Sequence, residues 1–152
     1  CGTGEFCSLI PKESYTGIDI SQKYVDYASS AYDRTFYCRD ARDSGFKDND
    51  FDRILIIGLL HHLDLGQVRD VFKEMLRIVK RDGKILLIED TPTVSRFNFI
   101  GRLLQNYDMG SNIRGAQEYI RLLNPDFSID KVYHVGSGFW DYSVISLSPK
   151  MA

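Results

Sequence analysis

A glycine pair and two aspartates, each placed where a strand should end, are the residues of this sequence best suited to chemistry. Gly2 and Gly4 lie in the opening turn Cys1-Gly2-Thr3-Gly4. They let backbone approach a ligand closely, and a helix starting after the turn would aim free N–H groups at an anion. Asp19 stands near the end of the segment Tyr15 to Ile20, where a carboxylate can accept hydrogen bonds from both hydroxyls of a ribose. Asp40 follows Thr35 to Arg39, where its side chain can accept from an adenine amino group while Ala41 leaves room for the ring. A glycine turn is more often just a turn, and an acid after a strand is usually solvated. The ordered series across several strands is what carries specificity.

His61 and His62 follow the strongest strand signal, and a neutral imidazole there could act as a general base. The same pair could instead hold its loop by hydrogen bonds. Farther on, Tyr107-Asp108-Met109-Gly110 and Arg114 offer polar and aromatic groups in a segment with little reason to be core. Arg114 could hold a carboxylate or phosphate, and Asp108 is the acid expected beside it in an acceptor pocket. Glu118, as a local partner of Arg114, explains the same residues structurally.

Strands and helices must alternate to place these groups. A short apolar helix is expected over Phe6 to Ile10, ended by Pro11. Ser21 is a plausible N-cap for a helix through Ala31, with Tyr24, Tyr27, Ala28 and Ala31 on one face. Asp52 to Gly58 reads as a strand, its Ile54-Leu55-Ile56-Ile57 run suiting burial on both faces. Asp64 and Gln67 form a variant capping box before Val68, Val71, Phe72, Met75, Leu76 and Val79 at helical spacing. Arg81-Asp82-Gly83 is the expected stop, with Gly83 as a left-handed cap. Lys84 to Glu89 follows as another buried strand. Phe97, Ile100, Leu103 and Leu104 give one apolar stripe. Phe127 to Val135 and Trp140 to Leu147 read as a hairpin across Gly136-Ser137-Gly138, with His134 and Trp140 expected in core packing.

With 43% hydrophobic and 26% charged residues, the composition is that of a globular domain. A net charge of -2 gives no general pull toward nucleic acid or anionic membrane, so neither is an expected partner. Cys1, Cys7 and Cys38 form neither a disulfide framework nor a zinc pair, and no metal is expected. The longest apolar run, Ile54 to Leu60, is far too short to cross a bilayer. A reducing, cytoplasmic setting is expected. The expected fold is α/β, a Rossmann-like doubly wound and mostly parallel sheet closed by a C-terminal antiparallel hairpin. Residues 1–152 are expected to form one domain, with 91–123 as its acceptor-pocket or lid segment.

Cys1-Gly2-Thr3-Gly4 resembles the second half of the glycine-rich motif of class I S-adenosylmethionine-dependent methyltransferases. Gly17-Ile18-Asp19-Ile20-Ser21 resembles their ribose-binding segment, and Arg39-Asp40-Ala41 their adenine-binding segment. Phe51-Asp52, the Ile54–Ile57 strand and Leu60-His61-His62-Leu63 are similar to small-molecule members such as the quinone-biosynthesis methyltransferases. Leu76 to Gly83 resembles the turn before their fifth strand. The resemblance implies S-adenosylmethionine as cofactor, S-adenosylhomocysteine as product and a small-molecule acceptor. It implies cofactor contacts from Cys1, Gly2, Thr3, Gly4, Asp19, Ile20, Asp40, Ala41 and Gly58, with the methionine carboxylate on the glycine turn. It also implies that the family's first strand, which precedes this turn, is missing. The chain alone is therefore expected to be poorly stable and to bind cofactor weakly.

Other readings meet specific obstacles. Cys7 stands where the dinucleotide pattern G-x-G-x-x-G needs its third glycine, and its side chain would impede the close helix–strand approach. The Asn/Asp-Pro-Pro-aromatic signature of amino-group methylation, a Pro-Cys nucleophile and an acid pair with adjacent Asn for magnesium are all absent after the fourth strand. A non-catalytic binding or scaffold protein of the same fold is the remaining alternative.

Overall fold

The computed structural model describes residues 1–92, 112–123, 125–137 and 140–150. The chain divides into two compact units, Cys1–Phe46 and Lys47–Ala152. Asp108 and the stripe from Phe97 to Leu104 lie outside the described residues.

The first unit holds β1 (Thr16–Asp19), α1 (Gln22–Ala31) and β2 (Thr35–Cys38). The two strands pair in parallel, from Thr16 opposite Thr35 to Asp19 opposite Cys38, so both acids come from the carboxyl ends of neighbouring strands. Its small core joins Cys7, Val25, Ala28 and Phe36, with Tyr15 and Tyr32 packed against them. Tyr15 meets Phe36 edge-on at 5.6 Å, a favoured aromatic geometry.

Two local expectations are corrected here. The segment after the glycine turn is a five-residue 3₁₀ turn, Glu5–Leu9, rather than an α-helix. Only Cys7 of it is buried, and Phe6 and Leu9 face solvent. On α1 the buried face is Val25 and Ala28, while Tyr24 and Tyr27 are exposed. The small core accepts a branched aliphatic and an alanine where the tyrosines suggested a wider apolar face.

The second unit holds β3 (Phe51–Ile57), α2 (Leu65–Ile78), β4 (Val79–Thr91), α3 (Ala116–Leu123), β5 (Phe127–Ser137) and β6 (Trp140–Pro149). Its sheet runs β3-β4-β6-β5. β3 and β4 are parallel, whereas β6 is antiparallel to both β4 and β5. The α/β class, the parallel pairs and the terminal hairpin match the sequence expectation.

The capping box forms as expected: Asp64 accepts from the Gln67 N–H at 2.9 Å, and the Gln67 side chain accepts from the Asp64 N–H at 3.0 Å. Val68, Val71, Phe72, Met75 and Ile78 form the buried face of α2. Burial alternates along β4: Ile85, Leu87 and Glu89 are buried, while Lys84 and Leu86 are exposed. On β3, Ile56 is buried but Leu55, paired with Leu86, is 40% exposed. The expected burial of these strands on both faces is therefore corrected to one face, the one that the unit's helices pack against.

Gly83 is also corrected. The helix ends at Val79, whose backbone is already extended, and β4 runs through Gly83. Gly83 has no positive φ. Its role is close packing, since a Cβ would fall 2.6 Å from Val79 Cγ2 and 2.9 Å from the Lys80 carbonyl oxygen. His134, expected in the core, is exposed on β5. No helix among the described residues is long and apolar enough to cross a membrane.

Candidate functional site

In the first unit, Asp19 organises the end of β1. Its Oδ2 accepts the Gly2 N–H at 2.8 Å and the Cys1 amino group at 3.0 Å, and its Oδ1 accepts the Ser21 N–H at 2.9 Å. Ser21 occupies the N-cap of α1, but its side chain makes no capping bond. One carboxylate thus ties the glycine turn to the start of α1. Burial alone would raise the Asp19 carboxyl, but the hydrogen bonds it accepts from the Ser21 and Gly2 N–H groups pull it the other way, and it lies below the usual range. A carboxylate offers about four acceptor positions; the Gly2 and Ser21 N–H groups take two of them, and two are left for a ligand once the Cys1 amine gives way.

The surrounding surface is open. Gly2 has φ +54°, and beyond its chain neighbours no heavy atom lies within 4 Å of where its Cβ would stand. Gly4 has φ +82°, and a Cβ there would lie 3.0 Å from the Phe36 ring. The first glycine leaves space over the turn, and the second lets the turn press onto the core. Ile20, next to Asp19, is 69% exposed although apolar. An open glycine turn, an ionised acid with spare acceptor capacity and an exposed apolar side chain fit an adenosine with an attached carboxylate. Because only a 3₁₀ turn follows Gly4, an anion there would rely on the turn's own N–H groups rather than on a long helix dipole.

Asp40 sits just past β2, where it accepts from the Arg42 backbone N–H at 2.9 Å and from its guanidinium at 3.0 Å. Those Arg42 hydrogen bonds, set against partial burial, hold its carboxyl below the usual range. Ala41 is partly exposed beside it. Arg39 lies between the Tyr37 and Phe46 rings, 4.6 Å and 4.8 Å from their centroids, and its N–H donates to the Asp19 carbonyl at 2.9 Å.

In the second unit, Gly58 directly follows β3 and has φ +57°. The chain then makes a 3₁₀ turn over Leu60–His62. His61 is buried and His62 exposed, with ring centroids 4.0 Å apart. The His61 Cε1 lies 3.6 Å from where a Gly58 Cβ would stand.

Beneath the turn is Glu89, near the carboxyl end of β4 and buried to 1% exposure. The sequence marks it only as one of two consecutive acids. Its Oε1 accepts the Leu59 and Leu60 N–H groups, each at 2.9 Å, and its Oε2 lies 3.1 Å from His61 Nδ1.

Arg114 approaches the same turn from the other side. Its guanidinium is buried and donates to the Leu60 carbonyl at 3.0 Å and the Leu63 carbonyl at 2.9 Å. Glu118 Oε1 lies 3.4 Å from its Nε. The side chain expected to hold an acceptor anion is thus occupied with protein carbonyls.

The sequence-predicted residues therefore fall into two groups: Cys1 to Gly4, Asp19, Ile20, Asp40 and Ala41 in the first unit, and Gly58, His61, His62 and Arg114 in the second. No cluster of three or more His, Cys, Asp or Glu side chains among the described residues could hold a metal ion.

Known proteins bear directly on this arrangement. Residues 1–87 match the family model described as a methyltransferase domain. The chain is 30% identical over 112 residues to demethylmenaquinone methyltransferase of Thermotoga maritima, covering 70% of this chain and 47% of that protein. It is 31% identical over 88 residues to a probable tRNA methyltransferase 9B of Bos taurus, covering 57% of this chain and 19% of the relative. The chain thus spans about half of the first and a fifth of the second.

Among solved structures, geranyl diphosphate C-methyltransferase from Streptomyces coelicolor A3(2), crystallised with S-adenosyl-L-homocysteine, superposes with a TM-score of 0.77. The match covers 97% of this chain and 70% of that one at 14% identity, so it speaks for the fold. The chain belongs to the methyltransferase-domain family, of the S-adenosylmethionine-dependent class.

Proposed function

We propose that both units are parts of one methyltransferase domain that transfers a methyl group from S-adenosylmethionine to a small-molecule acceptor. The observation that carries this reading is Asp19, whose carboxylate links the open glycine turn to the start of α1. We assign the ribose hydroxyls to Asp19, the adenine to Asp40, Ala41 and Ile20, and the methionine carboxylate to the backbone of Cys1 to Gly4. Asp40 reaches the adenine amino group by sharing the carboxylate that Arg42 now occupies. Gly58, in the second unit, keeps the cofactor assignment that the family resemblance gives it.

When bound, S-adenosylmethionine supplies an electrophilic methyl group on a sulfonium. The work left to the protein is mostly alignment, worth up to about 7–11 kcal/mol in favourable cases. His62, exposed at the turn after β3, is assigned to take the acceptor's proton, with His61 held behind it. Arg114 is assigned to holding this turn, because its N–H groups already meet two carbonyls. Asp108 and the segment 91–123 keep their assignment to the acceptor pocket. The chain's three free thiols suit a reducing, cytoplasmic compartment.

The demethylmenaquinone relative favours a cyclic small-molecule acceptor, and the tRNA relative supplies the competing class for the test. Incubation with methyl-labelled S-adenosylmethionine, against a naphthoquinol, a simple phenol, a prenyl diphosphate and bulk tRNA, separates them. Label is expected in a small-molecule fraction and to be lost in Asp19→Ala. Transfer to tRNA alone would overturn the acceptor class. Tight cofactor binding without release of S-adenosylhomocysteine in any arm would put the non-catalytic reading in its place.

A further inference from the structure

Glu89 has a full set of hydrogen-bond partners, and all of them belong to one short stretch of chain. A carboxyl group taken out of water is stabilised only where donors surround it. Here the donors all come from one turn: the N–H groups of Leu59 and Leu60 at 2.9 Å, the N–H of His61 at 3.4 Å and the His61 ring Nδ1 at 3.1 Å. They share two oxygens with about four acceptor positions, which leaves the carboxylate the acceptor-only partner that this geometry requires.

The other side of the turn is complementary. Arg114 donates to the carbonyls of Leu60 and Leu63, and the Asn112 N–H donates to the His61 carbonyl at 3.1 Å. A negative group therefore meets the inward-facing N–H groups of a single turn, and a positive one meets two of the turn's carbonyls. The result is a backbone clamp whose contents are the two histidines.

We propose that Glu89 is a positioning residue for the acceptor side of the reaction, an inference that rests on the assignment of His61 and His62 above. It fixes the Leu59–His62 backbone and holds His61 with its proton on Nδ1. The ring's Nε2 then carries the lone pair, and the neighbouring His62 ring is presented in one orientation. A carboxylate behind a histidine selects the tautomer in the same way wherever such pairs occur. The titratable and charged groups facing this pair are His62, Arg114 and Tyr119. Burial, with the Glu89 charge, raises the Tyr119 phenol above the ordinary tyrosine range.

The chain has three histidines, so ¹⁵N-histidine labelling gives three imidazole spin systems, assigned with His62→Gln and His134→Gln. Recorded above the pH at which the imidazoles are neutral, the wild-type His61 is expected in the Nδ1–H form, opposite to the preference of free histidine. A hydrogen bond to a charged group is worth about 1.5–3 kcal/mol, so Glu89→Gln should move the tautomer ratio by at least about tenfold. The same variant should keep its S-adenosylhomocysteine affinity within about threefold of wild type.

An Nε2–H form in the wild type overturns the proposal, as does a Glu89→Gln ratio equal to wild type. If Glu89→Gln does not fold, the wild-type tautomer decides alone. Failure of the wild type to bind S-adenosylhomocysteine would count against the cofactor assignment and leave the tautomer result standing, so the two are separable.

Discussion

Asp19→Ala is expected to weaken S-adenosylhomocysteine binding about a hundredfold, read by calorimetric titration. Two hydrogen bonds from ribose hydroxyls to a carboxylate are worth about 1.5 kcal/mol each at the low end, and each 1.4 kcal/mol is tenfold in affinity. The same substitution strips the Gly2 and Ser21 N–H groups of their acceptor, which loosens the turn that carries the methionine end. Asp33→Ala, at an acid of the same unit that pairs with Lys12 on the surface, should leave affinity within about threefold, as exposed pairs contribute little.

The pH dependence has a definite sign. Donors hold the folded Asp19 carboxyl below its ordinary value. Its contribution to stability is complete above the unfolded value of about 3.9 and is lost as pH falls through the depressed folded value. Binding that uses the carboxylate should persist through mildly acidic pH and disappear only in that low window. An affinity that falls away at pH 5 to 6 would implicate a different group.

Gly83→Ala is expected to be the most damaging single-methyl change in the second unit, at about 2–3 kcal/mol of unfolding free energy. The added Cβ would stand 2.9 Å from the Lys80 carbonyl oxygen and 3.1 Å from that of Asp52. Val79 Cγ2, at 2.6 Å, could rotate aside, but the two backbone oxygens belong to the join between α2 and β4 and to β3 beside it. Relief would require shifting the parallel pair that carries both Gly58 and Glu89. Urea unfolding followed by circular dichroism measures the loss, with Gly115→Ala as comparison, since a Cβ there would meet open space. Equal midpoints for the two variants would contradict the packing role of Gly83.

Much of the fold was legible because its signals are local. The Asp64 and Gln67 pair lies within four residues, and it caps α2 as its spelling implies. The terminal hairpin and the acids Asp19 and Asp40, placed at or just past strand ends, were readable for the same reason. Burial was less legible. The Ile54–Ile57 run looks equally apolar on both faces, yet which face is covered depends on where α2 and α3 pack. On α1, the tyrosines suggest a wider apolar face than the one buried, which is Val25 and Ala28.

The candidate site shows the same division. The residues assigned to the cofactor were legible as an ordered series of types at successive strand ends, each one weak when taken singly. Glu89 was not, because its partners in the Leu59–His61 turn stand 28 to 30 residues away along the chain. Arg114 misled for a related reason. An arginine in a polar segment suits an anion, and only the fold shows carbonyls 51 and 54 residues away taking its protons.

The central claim is that the first unit holds S-adenosylmethionine at the carboxyl ends of β1 and β2. The most direct test is titration of S-adenosylhomocysteine into ¹⁵N-labelled protein, following every backbone amide. The expected result is saturable shifts concentrated at Gly2 to Gly4, Asp19 to Ser21 and Asp40 to Arg42. Shifts absent from all three segments in a folded protein, or confined to amides elsewhere, would contradict the assignment.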